Sequence, residues 1–250
     1  MTSLGLKIIA ILSMLMDHVT SVFPNETLVS IDEIIGRLAF PLYAFMIVDS
    51  FRHLSGERMK KFMIILGAMA VISEPAFDRA FWGSFYFPYI QNQLLQFFSY
   101  GIALVFVRRL NANWQKALVW IVTILLNLKF SLGYGCGGIV LMLMYDWYLE
   151  HYSDKSTVWR FIAMSVIMLL AVVILAISVF FIYFGVAMLF EVSMEYIFDC
   201  LKAFAPILIT IPFMALYNGE YGNIPKWFRV IYRYFYPVHI WILTLIVLLQ

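Results

Sequence analysis

Nine apolar windows, each close to the length of a membrane crossing, run through this chain from end to end. A helix needs roughly 20 apolar residues to traverse the hydrocarbon core, where its backbone must satisfy its own hydrogen bonds. Bounded by charge or turn signals, the windows are 5–23, 33–52, 61–80, 92–107, 115–130, 134–150, 158–186, 196–217 and 229–249. They predict an all-α fold, a polytopic transmembrane helix bundle of about nine spans, with about eight to ten allowed by the length. The composition agrees, at 64% hydrophobic and 13% charged residues, where soluble domains carry about 25% charge. Little is left for a soluble part, so residues 1–250 read as one integral-membrane domain. The fourth and fifth windows are short and the seventh is long, which predicts tilt or an extra turn. Met1 to Lys7 leads into an apolar run as a signal peptide does, but no small-x-small site follows and Asp17-His18 interrupts it. A retained first helix is expected.

The connections set an orientation. Lys7 precedes the first span, and the even-numbered connections hold Arg52, Arg58, Lys60 and Lys61, then Arg108, Arg109 and Lys116, then Lys155 and Arg160, then Lys226 and Arg229. The odd-numbered ones hold Glu26, Asp32 and Glu33, then Asp78 and Arg79, then Lys129 alone, then Glu191 and Glu195. By the positive-inside rule the N-terminus is cytoplasmic and, for nine spans, the C-terminus lies outside. The aromatic, polar stretch Trp82 to Gln93 reads as an interfacial or re-entrant segment on the outer side.

Ionisable side chains at membrane depth are costly, so each is a candidate for function. Counting 1.5 Å per residue from the span ends puts Asp17, His18, Arg37, Glu74, Asp78 and Asn92 in one outer-half layer, contributed by four successive helices. Adjacent helical positions point about 100° apart, so Asp17 and His18 each need a separate partner. A neutral imidazole at His18 suits a general base for an amine or hydroxyl nucleophile. Arg37 would be the counter-ion of Asp17 or Glu74, or a clamp for an anionic group. A buried Asp–Arg pair that merely fixes helix register is the structural alternative.

A second polar group lies toward the cytoplasmic side: Arg52-His53, Arg58, Lys60 and Lys61, Arg108 and Arg109, Tyr217-Asn218-Gly219, and Lys226, Arg229 and Arg233. It reads as a positive-inside signal with anionic-lipid contact, or as a surface for a phosphate-rich cytoplasmic donor. His239 lies near mid-membrane in the last helix, two residues after Pro237, as a core histidine or a functional one. A net charge of +2 is too small to suggest nucleic acid. No Gly-rich phosphate loop, metal-ligand spacing or GxSxG occurs, Cys136 and Cys200 read as packing residues, and GYGCGG at 133–138 reads as a close helix-packing element. No internal repeat is visible, which weakens an inverted-repeat transporter.

The strings LKIIAILSMLMDHV, IGRLAFPLYAFMIVDSFRH, ISEPAFD, LYNG and YRYFYPVHIWIL occur in that order between residues 6 and 243. Together they resemble the TraX family, which takes its name from the conjugative F-pilin acetyltransferase. The family is similar in logic to a wider group of membrane acyltransferases that use cytoplasmic acetyl-CoA. The resemblance implies an acetyl-CoA-dependent acyltransferase of the bacterial cytoplasmic membrane, acting on an amine or hydroxyl of a peptide, glycan or lipid. Catalytic roles would fall to His18 as base, Asp17 orienting it, and Arg37 with Glu74 or Asp78 organising the pocket. Asn92 and Gln91 would meet the substrate, Asn92 as a donor to the thioester carbonyl or its oxyanion. Arg52, His53, Arg108, Arg109, Tyr217, Asn218, Arg233 and His239 would face the donor. The competing reading from the residues is a proton-coupled transporter with the buried Asp, Glu and His residues as a relay. A non-catalytic assembly factor is the third.

Overall fold

The computed structural model describes residues 1–184, 194–220 and 222–249, and these form helices with short connections. Helix α1 (Ser3–Val22) buries Leu6, Ala10, Ser13, Met14 and His18, a stripe at three- and four-residue spacing, and leaves Ile8 and Leu12 exposed on the other face. That pattern is what a helix needs to pack on one side and meet lipid on the other. Asn25 caps α2 (Glu26–Ile35) by accepting from the Thr27 N–H at 3.0 Å, and no α2 residue is buried, so this helix lies at the rim. The second window is therefore interrupted. A 3-10 turn at Gly36–Leu38 joins α2 to α3 (Ala39–His53), and the Ser13 hydroxyl of α1 donates to the carbonyls of Ile35 and Gly36 there. Gly36 allows the close approach, since a Cβ at that position would stand 3.1 Å from the Asp17 Cβ.

Helix α3 is buried nearly all round, from Ala39 to Phe51, and forms the centre of the bundle against α1 and α7. Helix α4 (Gly56–Trp82) has 27 residues and contains Pro75. It pairs along its length with the last helix, α11 (Lys226–Leu249), whose Trp241 indole donates to the Ile72 carbonyl at 3.1 Å and whose Thr244 hydroxyl donates to the Ala76 carbonyl at 2.7 Å. These bonds clamp α4 on both sides of Pro75, whose missing N–H weakens the local helical ladder.

Helices α5 (Gln93–Val107), α6 (Asn113–Lys129) and α7 (Gly135–His151) have 15, 17 and 17 residues, so the predicted shortness holds in the structure. The GYGCGG string is a packing element, as expected. A Cβ on Gly137 would lie 2.8 Å from the Ser178 Cβ of α8 (Thr157–Phe184), and one on Gly138 would overlap the Gln96 amide of α5. The eighth window is a broken helix: α9 (Met194–Phe204), a 3-10 segment at Ala205–Thr210 and α10 (Ile211–Ala215), with Pro206 and Pro212 at the joints. Glu191 of the seventh connection lies outside the described residues. Among the described residues, five helical stretches are long and apolar enough to cross a membrane: Ser3–Val22, Glu26–His53, Thr157–Ile182, Ile197–Ala215 and Lys226–Leu249. The chain is a multi-pass helical membrane protein.

Side chains and backbone tie the helix ends together on the basic side. The Ser3 N–H donates to the Glu220 carbonyl at 2.9 Å, and Arg108 donates to the carbonyls of Phe51 at 2.7 Å and Leu54 at 2.9 Å. Arg52 pairs with Asp146 at 2.7 Å, and Arg160 donates to the Tyr217 carbonyl. At the opposite end the loop after α4 meets the loop after α6, where the Gln91 N–H donates to Ser131 O and the Gly133 N–H to Gln91 O, each at 3.1 Å.

Candidate active site

The residues expected in one polar layer fall into two clusters. In the first, α1 brings His18 against His239 of α11. The two rings are nearly parallel, at 16°, with His18 Nδ1 and His239 Nε2 2.6 Å apart. His239 Nδ1 in turn reaches the Phe235 carbonyl at 2.7 Å. Phe81 and Tyr236 stand edge-on to His18, with ring centroids 5.2 and 5.9 Å away. The other nitrogen of His18, Nε2, faces Asp17 Oδ2 at 3.9 Å. That is too long for a hydrogen bond and short enough for charge interaction, as expected of adjacent helical positions. His18 is buried, while the Asp17 side chain keeps 30% of its surface exposed. Arg37 interacts with Asp17, Asp32 and Tyr134. Asp17 is one of its two expected counter-ions; Asp32 on α2 and Tyr134, just before α7, are added to it.

The second cluster belongs to α4 and the start of α5. Glu74 accepts from the Asn92 N–H at 3.1 Å and from the Asn92 side-chain amide, which also donates to the Ala70 carbonyl at 2.9 Å. The Asn92 amide oxygen caps α5 by accepting from Leu94 N–H at 2.9 Å and Leu95 N–H at 3.3 Å. With both amide hydrogens and both lone pairs engaged, Asn92 has no donor for a substrate oxyanion. Its place is structural, an N-cap with a buried brace. Asp78 holds the Phe87 N–H at 2.7 Å and so shapes the loop after α4, while the Gln91 amide reaches the Phe87 carbonyl at 3.4 Å. Tyr236 bridges the clusters, its ring standing against His18 and its hydroxyl reaching the backbone of Gln93 at the start of α5.

A cavity of about 820 Å³ leads to this ring from the basic end of the bundle. Its outer part is lined by Lys7, Arg58, Lys61, Arg229 and Arg233, from the opening turns of α1, α4 and α11. Its inner part is lined by Tyr43, Leu66, Met69, Phe97 and Tyr236. Met69 lies 13 residues into α4, a rise of about 20 Å at 1.5 Å per residue, so the cavity reaches deep into the bundle. Within it the Asp49 carboxylate accepts from the Tyr217 hydroxyl at 2.8 Å, and Lys7 lies over the Tyr232 ring at 5.0 Å.

Of the residues expected to face a donor, Arg233 lines this cavity and the others do not. Arg52 is paired to Asp146, and Arg108 caps the end of α3. Arg109 borders a separate groove between α4 and α5. His53 bonds the Asp49 carbonyl at 2.8 Å, Tyr217 is buried on the Asp49 carboxylate, and Asn218 bonds Glu220 at 2.8 Å. His239 sits in the histidine cluster, well away from the basic end. The stripe Arg229, Tyr232, Arg233 and Tyr236 runs at helical spacing along α11, and this periodicity was the available signal for Tyr236 and for the cavity-facing side.

A family model described as TraX protein matches residues 3–247. No curated protein and no solved structure matches the chain.

Proposed function

The chain belongs to the TraX family, and from that membership together with the site geometry we propose that it is a membrane acyltransferase using acetyl-CoA as donor. The observation that carries the reading is the cavity of about 820 Å³ running from a ring of cations to Tyr236, the ring that stands against His18. The CoA phosphates would lie among Lys7, Arg58, Lys61, Arg229 and Arg233, where charge-assisted hydrogen bonds are strongest. The apolar shaft past Leu66 and Met69 suits the pantetheine arm, and rotation of Tyr236 would bring the thioester to His18. The basic end is then the cytoplasmic end, in accord with the positive-inside rule, in the bacterial inner membrane.

In the reaction, His18 takes the proton from an acceptor amine or hydroxyl as that atom bonds to the acyl carbon. The carbon–sulfur bond breaks, and the departing thiolate takes the proton back from His18. Asp17 stabilises the transient imidazolium. The acceptor, on a peptide, glycan or lipid, would reach His18 from the Asp17 side, which is partly exposed.

The test uses purified protein in detergent or bilayers. Calorimetry with CoA should give saturable binding, and acetyl-CoA labelled in the acetyl group should pass its label to envelope material. His18→Ala should bind CoA as the parent does and transfer nothing. A parent protein without CoA affinity that dissipates a pH gradient in vesicles would replace this reading with the proton-coupled transporter.

A further inference from the structure

We infer that His239 is a positioning residue that holds His18 in the form protonated on Nδ1, leaving Nε2 as the nitrogen that takes the acceptor's proton. The inference rests on the acyltransferase reading for its chemistry, but its geometry stands alone. A backbone carbonyl can only accept, so the contact of 2.7 Å between His239 Nδ1 and Phe235 O requires a hydrogen on that nitrogen. In a neutral ring the other nitrogen, Nε2, then carries the lone pair. His18 Nδ1 lies 2.6 Å from it and must be the donor. The second nitrogen of His18 is thereby left unprotonated, on the side of Asp17. One carbonyl thus determines the proton positions on two successive imidazoles.

The surroundings keep both rings from turning over. Phe235 stacks on His239 with centroids 4.7 Å apart and Tyr236 meets it edge-on at 5.6 Å, while Phe81 and Tyr236 bracket His18. A flipped His18 ring would present a C–H to the His239 lone pair and lose the bond. When Nε2 receives a proton, the Nδ1–H bond to His239 persists and Asp17 faces the new charge, so no group has to reorganise. This is the arrangement of a base oriented by a third group, here a histidine anchored on a carbonyl.

The chain has four histidines, so the nitrogen resonances of its imidazoles can be assigned by single replacements. In bilayers, protein labelled with nitrogen-15 in histidine should show His18 and His239 both carrying the hydrogen on Nδ1. His239→Leu should release His18 into a mixture of forms and lower acetyl transfer by about a hundredfold, within the range of general-base effects, with CoA affinity unchanged. His239→Gln, whose amide oxygen can accept in place of Nε2, should keep the His18 signature and most of the rate. A hydrogen on His18 Nε2 in the parent protein, or an imidazolium at His239, would overturn the inference. So would a His239→Leu protein that transfers at the parent rate. The resonance readout needs no turnover, so it stands even where acetyl transfer is absent and the functional reading fails.

Discussion

Tyr236 lines the inner part of the cavity and stands nearly perpendicular to the His18 ring, at 80° with a centroid separation of 5.9 Å. Among the described residues it is the one ring shared by the cavity and the histidine cluster. Replacing it separates binding from chemistry. Tyr236→Phe keeps the wall and should retain transfer within about threefold, whereas Tyr236→Trp lengthens the wall and should cut kcat by at least about tenfold, about 1.4 kcal/mol in barrier. CoA affinity, measured by calorimetry, should change little in either, because the proposed phosphate site is at the far end of the cavity.

The cations of the cavity mouth should matter individually. Arg233→Gln and Lys61→Gln are each expected to weaken CoA binding by roughly five- to tenfold, about 1 kcal/mol, as loss of one charge-assisted contact predicts. Raising salt should weaken the parent and narrow the difference. Arg52→Gln, whose side chain is bonded to Asp146 outside the cavity, should leave the affinity within about twofold. Equal losses from Arg52 and Arg233 would remove the cavity from the donor site.

Asn92 should behave as a structural residue. Asn92→Ala removes the cap of α5 and one of the two donors to a Glu74 carboxylate oxygen, which keeps the backbone N–H. Cap loss costs about 1 kcal/mol and the lost hydrogen bond to the carboxylate about 1.5–3 more. Thermal unfolding in detergent should show a lowered midpoint, with the rate per folded molecule preserved. A full-stability variant without activity would return Asn92 to the substrate.

Gly137→Ala tests the packing of α7 on α8. The added methyl would stand 3.0 Å from the Ile174 carbonyl and 2.8 Å from the Ser178 Cβ, and a helix backbone cannot yield as a side chain does. Overpacking of this kind costs about 1–3 kcal/mol. The unfolding midpoint should fall, and a midpoint equal to the parent's would mean that the helices separate without cost.

Much of the fold was legible because a membrane helix is nearly one-dimensional. Each of the nine windows contains helix in the structure, and the windows at 92–107 and 115–130 are short there too. Two windows contain breaks, at Gly36–Leu38 and at Ala205–Thr210, where an apolar run conceals local 3-10 geometry. Asp199 and Lys202, three residues apart on α9, pair at 3.3 Å. Side-chain partners were less legible. Arg37 has Asp17 of its two expected counter-ions, together with Asp32 and Tyr134, which the sequence did not suggest, and Asn92, expected to meet substrate, caps a helix. Both depend on which faces of neighbouring helices turn toward each other.

The sequence by itself determined position along each helix, and so that Asp17, His18, Glu74 and Asp78 lie away from the basic end. That position follows from counting residues along a helix of known rise. Only the tertiary structure decided lateral neighbours. It set His239 beside His18 across 221 positions, engaged Arg52 and Arg108 elsewhere, and turned Arg229 and Arg233 into the cavity. The physical reason is that azimuth around a helix acquires meaning only when another helix packs against it, and α11 returns from the far end of the chain to do so.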